Sequence, residues 1–300
     1  MDKLSRREFL RRAALGGLAL YASPVLGKAF AEGVPDLAVA EGDDPKQLVR
    51  KAVEALGGMK RFVKRGDVVF VKPNIAWNRK PELAATTNPE VVEEIVRMCL
   101  EAGAKEVRVF DITIQPARLT YRRSGIMKAV KRAGGKMIYV DERKIKEVAI
   151  PEGESVKSWP MYTEALEADV LINVPIAKHH SAARLTMAIK NLMGVLGGER
   201  GALHRNLHQN LADIATRIRP HLNILDAYRI LVNHGPTGGR PEDVKLARKV
   251  IAGVDIVAVD SLGATLFGLK GEELGYVRNA HRMGLGEMDL GKLRVKTVKV

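Results

Sequence analysis

A lysine and two histidines follow an apolar run in the segment INVPIAKHH, residues 172–180. The run is typical of a buried strand, so Lys178, His179 and His180 would come directly after its end. Lysine offers three donors to phosphate or carboxylate oxygens, and histidine can move protons or bind a metal. Because the histidines are adjacent, we expect only one of them to face a site, while the other caps or hydrogen-bonds the loop.

Other polar residues occupy the same place in the pattern, at the ends of apolar runs. Lys72 and Asn74 end the run DVVFVKPN, and Asp111, Asp226 and Asp260 end three others. The carboxyl ends of parallel strands form the binding crevice of an open sheet, so these side chains are expected to share a pocket. Asp260 has an alternative role as a helix N-cap, and the sequence gives both roles equal weight.

The elements that must position these residues alternate along the chain. Apolar runs predict strands at 37–40, 67–74, 106–111, 136–141, 170–175, 223–227 and 249–260. Windows with helical spacing lie between them, such as the helix that Asn88 and Pro89 begin and Gly103 ends. Strands that are apolar throughout predict an α/β fold, with a largely parallel sheet covered by helices on both faces.

A helix is expected after the two histidines. Leu185, Ile189 and Leu196 would line one stripe, with Lys190 and Asn191 opposite, near Gly194. Spacing alone favours a solvated face for these polar residues.

The segment NHGPTGGR is a glycine-rich loop that contains His234, Gly235 and Gly238. Its backbone amides could bind an anion, although it matches neither a P-loop nor a dinucleotide-binding motif. An ordinary turn is the alternative.

Composition limits the partners. The formal charge of +14 suits an anionic partner, but only 5% of the residues are aromatic, which argues against single-stranded nucleic acid. The single cysteine, Cys99, excludes an internal disulfide and argues against an iron–sulfur cluster within this chain. We expect Cys99 to lie in the core.

Residues 1–31 resemble a twin-arginine signal. Ser5, Arg6 and Arg7 are followed by Phe9 and Leu10, a weakly apolar span and a small-x-small site at 29–31. We therefore expect export by the twin-arginine translocase to the periplasm or another extracytoplasmic space. Residues 32–300 would then form a single α/β domain, or two closely packed lobes.

Five segments in order resemble the motifs of the domain of unknown function 362 family, at 52–75, 87–107, 172–194, 223–240 and 250–268. The resemblance implies an α/β domain, sometimes found with ferredoxin-type modules. It favours Lys190 and Asn191 as site residues over a solvated face, because AIKNLMG matches a family motif. It also selects His180, since the family pattern resembles lysine, one intervening residue and histidine.

These observations give candidate roles by residue type. The catalytic candidates are Lys178, His180 and Asp260; the ligand-binding candidates are Lys72, Asn74, Lys190, Asn191, Gly235 and Gly238; the metal candidates are Asp111, Asp226 and His234. One hypothesis is an exported enzyme that acts on a small anionic ligand, with or without a divalent metal. The alternative is a non-catalytic cofactor or metal carrier for an exported redox system, with a separate iron–sulfur partner.

Overall fold

A sheet of ten strands forms the centre of the described structure, a computed structural model that covers residues 33–300. The predicted signal at 1–31 lies outside the described residues. Residues 34–300 form one compact unit. Two more strands, β5 and β6, form a separate hairpin.

The strands are β1 Leu37–Glu41, β2 Val68–Pro73, β3 Glu106–Val109, β4 Lys136–Met137, β5 Ile145–Ala149, β6 Ser158–Tyr162, β7 Val170–Val174, β8 Ile176–His180, β9 Arg184–Thr186, β10 Leu222–Leu231, β11 Val244–Gly253 and β12 Val295–Lys299. The α-helices are α1 Pro45–Ala55, α2 Pro89–Ala102, α3 Ala117–Arg123, α4 Ile126–Arg132, α5 Thr163–Leu166, α6 Ala188–Asn191, α7 Leu207–Arg217, α8 Ile256–Ala264 and α9 Gly275–Arg282. Short 3-10 turns follow α6 at Leu192–Val195 and precede α7 at Arg200–Asn206.

The main sheet has the strand order β12-β1-β11-β10-β7-β2-β3-β4. The pairs from β10 through β7, β2 and β3 to β4 are parallel, which confirms the predicted α/β class. β11 runs antiparallel to both of its neighbours, β1 and β10. The sheet is therefore mixed, with its parallel part on the side of β2 and β7.

Helices cover both faces of this sheet. Val69 and Val71 of β2 belong to one apolar cluster, which includes residues of α1 and α2. Phe70 belongs to the other, which includes residues of α7 and α8. Successive strand residues point to opposite faces, so one apolar strand serves two cores.

The helix boundaries read from the sequence are confirmed at α2. The Asn88 side chain accepts a hydrogen bond from the Glu90 amide, Pro89 is the first helical residue, and Gly103 ends the helix with a φ of 107°. Cys99 is fully buried, as expected.

Two boundary predictions that concern site residues were wrong. The run 249–260 is not one strand, because β11 ends at Gly253 and α8 begins at Ile256, with Asp255 as its N-cap. Lys178 and His180 lie on a strand, β8, instead of in a loop. The hairpin of β5 and β6 was not predicted.

Asp260 lies inside α8 and fixes the position of α6, the short helix that carries Lys190 and Asn191. Its two carboxylate oxygens accept hydrogen bonds from the amides of Ala188 and Ile189, at 2.6 and 2.9 Å. These amides belong to the first turn of α6, where amide groups have no partner within the helix. A side chain on one helix thus caps another.

We expect Asp260→Asn to lower the free energy of unfolding by about 1–3 kcal/mol at pH 8, since the new NH₂ group would face a buried amide. The neighbouring Ser261→Ala is the control, because the buried Ser261 hydroxyl makes no hydrogen bond to the residues that the structure describes. Urea unfolding would measure both. Equal stability of the two variants would contradict the capping role.

Candidate functional site

A cavity of about 360 Å³ lies beyond the carboxyl ends of β2 and β3, beside β8 and α6. Seven of the predicted site residues line it: Lys72, Asn74, Asp111, Lys178, His180, Lys190 and Asn191. Five do not: Asp226, His234, Gly235, Gly238 and Asp260. The prediction that strand ends converge on one pocket therefore applies to the parallel part of the sheet.

Lys72 and Asp111 form a buried ion pair at the base of the cavity. Their Nζ and Oδ1 atoms are 2.8 Å apart. Lys72 Nζ also donates to the carbonyl of Pro73 at 2.8 Å and to Oδ1 of Asn191 at 3.1 Å. Burial lowers the pKa of Lys72, and the nearby Asp111 charge opposes this shift. Two N–H donors of Lys72 are thus hydrogen-bonded, and its charge is paired with Asp111.

Because Gly194 has no side chain, the ion pair can lie directly against its backbone. A methyl group at residue 194 would overlap Oδ1 of Asp111 and press against the end of Lys72. The close approach to the Gly194 backbone is thus made by the ion pair. The Gly194 carbonyl also accepts a hydrogen bond from the Ile112 amide at 2.9 Å.

A chain of asparagine side chains extends below the ion pair. Asn191 Oδ1 accepts from Asn74 Nδ2 at 3.1 Å, and Asn191 Nδ2 donates to Asn173 Oδ1 at 2.8 Å. Asn173 Nδ2 in turn donates to Asn223 Oδ1 at 3.0 Å. Sequence analysis missed Asn173 and Asn223, although each stands as a polar residue inside an otherwise apolar strand. Asn191 is buried, so the expectation of a solvated face was wrong.

Lys178 is also fully surrounded by acceptors. Its Nζ donates to Asn74 Oδ1 at 3.1 Å and to the carbonyls of Ala85 and Pro236 at 2.7 and 3.2 Å. Burial lowers the pKa of Lys178 to about 7. Three acceptors match the three N–H donors of an ammonium, so this arrangement favours the protonated form.

Lys190 differs from the other two lysines. It is 7% exposed, yet within residues 33–300 its Nζ donates only to the Met193 sulfur, at 3.2 Å, and has no ion-pair partner. Burial and the charge of Arg200 lower the pKa of Lys190 to about 8. The nearby hydroxyl of Thr186 is buried without a hydrogen-bond partner in the described chain. Both groups line the cavity.

Arg200 is a cavity residue that the sequence did not reveal. Its guanidinium donates to the carbonyls of Ile112, Met193 and Thr113 at 2.7, 3.3 and 3.0 Å. No carboxylate of residues 33–300 forms an ion pair with Arg200. Arg200 stands in a 3-10 turn after two glycines, where no motif or spacing marks it.

His180 is held in one tautomer. Its Nδ1 accepts hydrogen bonds from the amides of Ala182 and Ala183 at 3.1 and 3.2 Å, so the proton is on Nε2. Burial and the charges of Lys190 and Lys178 lower the pKa of His180 to about 3. At neutral pH this side chain is therefore a neutral donor through Nε2.

The predicted catalytic role of Asp260 is not supported by its position. Both of its oxygens are occupied by the first two amides of α6, and it does not line the cavity. Burial raises the pKa of Asp260 to about 7, although the two amides act in the opposite direction.

The structure does not bring the three predicted metal ligands together. Asp111 is paired with Lys72, Asp226 accepts hydrogen bonds from the Asn88 and Tyr228 amides, and His234 pairs with Asp243 at 2.9 Å. Burial raises the pKa of Asp226 to about 6. Among residues 33–300, no group of three or more histidine, cysteine, aspartate or glutamate side chains could hold a metal ion.

The glycine-rich loop contributes a carbonyl to the site instead of an amide cradle. The Gly235 amide donates to His179 Nδ1 at 3.1 Å, and the Gly238 amide donates to the His234 carbonyl at 3.2 Å. Pro236 supplies the carbonyl that Lys178 binds. The amides of Gly235 and Gly238, which the sequence predicted to bind an anion, therefore donate to protein acceptors in this structure.

These features define an α/β protein with a cation-rich cavity at the ends of its parallel strands. A family model described as Domain of unknown function (DUF362) matches residues 69–265, so the chain belongs to this family. The thylakoid-associated protein sll1697 of Synechocystis sp. (strain ATCC 27184 / PCC 6803 / Kazusa) is 30% identical over 245 residues, which cover 79% of this chain and 74% of the relative.

Two solved structures align with the chain at low identity. The lactate racemase apoprotein from Thermoanaerobacterium thermosaccharolyticum aligns with a TM-score of 0.45 and 10% identity, over 85% of this chain and 58% of that chain. A Thermotoga maritima protein aligns with a TM-score of 0.41 and 13% identity, over 76% of this chain and 60% of that chain. The chain thus spans less than two thirds of either structure.

Within the described range, no helix combines the length and the apolar character needed to cross a membrane.

We expect Gly194→Ala to lower the free energy of unfolding by about 2–4 kcal/mol, because the methyl group would force apart the buried ions Lys72 and Asp111. Gly201→Ala is the matched control, since nothing lies within 4 Å of a methyl group at that position. Denaturant unfolding of both variants would measure the difference. A Gly194 variant as stable as the Gly201 variant would contradict the role of the glycine.

Proposed function

We propose that the cavity binds a small oxyanion, a carboxylate or a phosphate. The observation that carries this proposal is Lys190, a buried ammonium whose one hydrogen-bond partner among residues 33–300 is a thioether. Burying a charge without a partner is costly, so a site that keeps such a charge is suited to a ligand of opposite sign. The unpaired Thr186 hydroxyl offers a further donor.

The surrounding cations support the same conclusion. Lys178 and Arg200 hydrogen-bond only to neutral oxygens, whereas Asp111, the one carboxylate of the cavity lining, is in contact with Lys72. Positive charge in a cavity with low-dielectric walls attracts anions more strongly than the same charge at an open surface. The Nε2–H of the neutral His180 would provide an uncharged donor to the bound oxyanion.

A catalytic role, the second candidate, is favoured by the pKa of Lys190. A value of about 8 lets this side chain give and take a proton near neutral pH, and the thioether sulfur of Met193, a weak acceptor, is its one hydrogen-bond partner among residues 33–300. Lys190 is thus the acid–base group in our proposal, in place of the predicted pair of His180 and Asp260. The guanidinium of Arg200 would orient the anion, and the fixed charge of Lys178 would help to attract it.

Export by the twin-arginine route is also part of the proposal. It rests on the sequence of residues 1–31, where the arginine pair and the residues after it match the signal pattern. The anion site would then operate outside the cytoplasm.

We expect Lys190→Met to abolish the thermal stabilisation that inorganic phosphate or acetate gives the wild-type protein at constant ionic strength. The same change should raise the free energy of unfolding without ligand, by about 1–3 kcal/mol at pH 7, because it removes a buried unpaired charge. The pKa of Lys190 is lowered from 10.5 to about 8. Between pH 8 and 10.5 the unfolded chain therefore binds more protons than the folded protein, so the stability of the wild type rises with pH. The extra stability of the Lys190→Met variant over the wild type should disappear toward pH 10.5.

Lys128→Met is the control for this experiment, because Lys128 is an exposed lysine of α4. Its stability and its response to phosphate should match those of the wild type. A Lys190→Met protein that is destabilised, or that responds to phosphate as the wild type does, would contradict the anion site.

For export, we expect Arg6→Lys with Arg7→Lys to stop the mature form from accumulating outside the cytoplasm, since the translocase recognises the arginine pair. Fractionation of cells that produce the full chain would measure this. A double change of Arg11 and Arg12 to lysine is the matched control and should leave export nearly normal. Normal export of the Arg6 and Arg7 variant would contradict the signal assignment.

A further inference from the structure

The cavity has an apolar wall as well as cations. This wall consists of Ala76, Trp77, Ile112, Ile114 and Met193. Trp77 is only partly buried, and its indole N–H donates no hydrogen bond to residues 33–300. Ile114 is 56% exposed at the cavity mouth. A large aromatic ring and an exposed isoleucine on one side of a pocket leave apolar surface that a ligand can cover.

Two loops form this wall, and backbone hydrogen bonds hold them together. The Ala76 carbonyl accepts from the amides of Ile114 and Gln115, each at 3.2 Å. The Asn78 amide donates to the side-chain oxygen of Gln115 at 2.6 Å. The loop after β2, which carries Trp77, is thus fixed to the loop after β3, which carries Ile114. These hydrogen bonds hold the residues of the wall in fixed positions.

The apolar wall begins directly beside the cations. Met193 contacts Lys190 Nζ through its sulfur at 3.2 Å, and Arg200 donates to the carbonyl of Ile112 at 2.7 Å. An anion bound at Lys190 and Arg200 would therefore lie next to the wall, with no polar layer between them. Inorganic phosphate alone would leave the wall uncovered.

We propose that the ligand carries its oxyanion on a flat apolar body, and that Trp77 packs against this body. This inference rests on the proposed oxyanion site and narrows its ligand to aryl or similarly flat carboxylates and phosphate monoesters. The oxyanion binds Lys190 and Arg200, while the body lies along Trp77 and extends toward Ile114. The cavity volume of about 360 Å³ is at the small end of the range for ligand pockets, roughly 300–1,000 Å³, which suits a single ring.

The test compares matched probes on the full-length protein by isothermal titration: inorganic phosphate against phenyl phosphate, and acetate against benzoate. We expect each aryl probe to bind at least about tenfold more tightly than its partner, because the ring is removed from water against the wall. Trp77→Ala should reduce this ratio to about twofold or less without changing the affinity for inorganic phosphate. Trp77→Phe should keep most of the ratio.

Trp159→Phe is the control, since Trp159 lies outside the cavity and donates to the Gly197 carbonyl. It leaves Trp77 as the only tryptophan of the chain, which has two. Phenyl phosphate should then change the remaining fluorescence, and inorganic phosphate should change it less.

The outcomes separate this inference from the oxyanion site itself. Binding of phosphate and phenyl phosphate with equal affinity, or a ratio that survives Trp77→Ala, would overturn the flat apolar body and leave the oxyanion site in place. Failure of all four probes to bind would overturn both. If the aryl probe binds more tightly in only one of the two pairs, the inference is supported for the oxyanion of that pair. The result would then identify the oxyanion of the ligand as phosphate or carboxylate.

Discussion

The ion pair between Lys72 and Asp111 is the contact on which the arrangement of the cavity depends. It joins the end of β2 to the end of β3 and lies against Gly194, so three separate chain segments meet at two atoms that are 2.8 Å apart. A buried ion pair contributes little net stability, but separating its members leaves uncompensated charges and is strongly unfavourable. The main effect of the pair is therefore to fix the relative positions of the three segments, and its contribution to stability is smaller. Its position also explains why only glycine fits at residue 194.

The three lysines of the cavity show how the fold separates structural charge from functional charge. Lys72 has a carboxylate and two carbonyl-type oxygens, and Lys178 has three carbonyl-type oxygens. Lys190 has a sulfur atom alone. The first two lysines satisfy their donors inside the protein, so they hold loops together and contribute a fixed field. Only Lys190 retains donors that a ligand could use, and sites where a sequence breaks a local rule of stability are those expected to be functional.

The sequence predicted the parallel part of the sheet well, together with the residues at its carboxyl ends. Lys72, Asn74 and Asp111 converge because parallel strands end at the same edge of a sheet, and β8 and α6 bring Lys178 and Lys190 to the same cavity. The rule failed at Asp226 and Asp260, each of which ended a predicted strand. β10 continues beyond Asp226 to Leu231, and the run to Asp260 contains a turn at 254–255 that apolar composition does not reveal. Periodicity cannot separate a buried strand from a buried helix in such a run. Arg200 and Thr186 could not be predicted, since only tertiary contacts show which of many polar residues lack partners.

Asp260 illustrates how one residue type can serve the site without entering it. Its carboxylate holds the first turn of α6, and α6 presents Lys190 to the cavity and Asn191 to Lys72. Asn191 in turn connects to Asn74, whose oxygen accepts from Lys178. A continuous set of hydrogen bonds thus runs from α8 to two of the buried ammonium groups, and rigid support of this kind is what a precise binding site requires. Among the three lysines, Lys72 and Lys178 have the most partners and support the cavity, whereas Lys190 has the fewest and is free to bind the ligand.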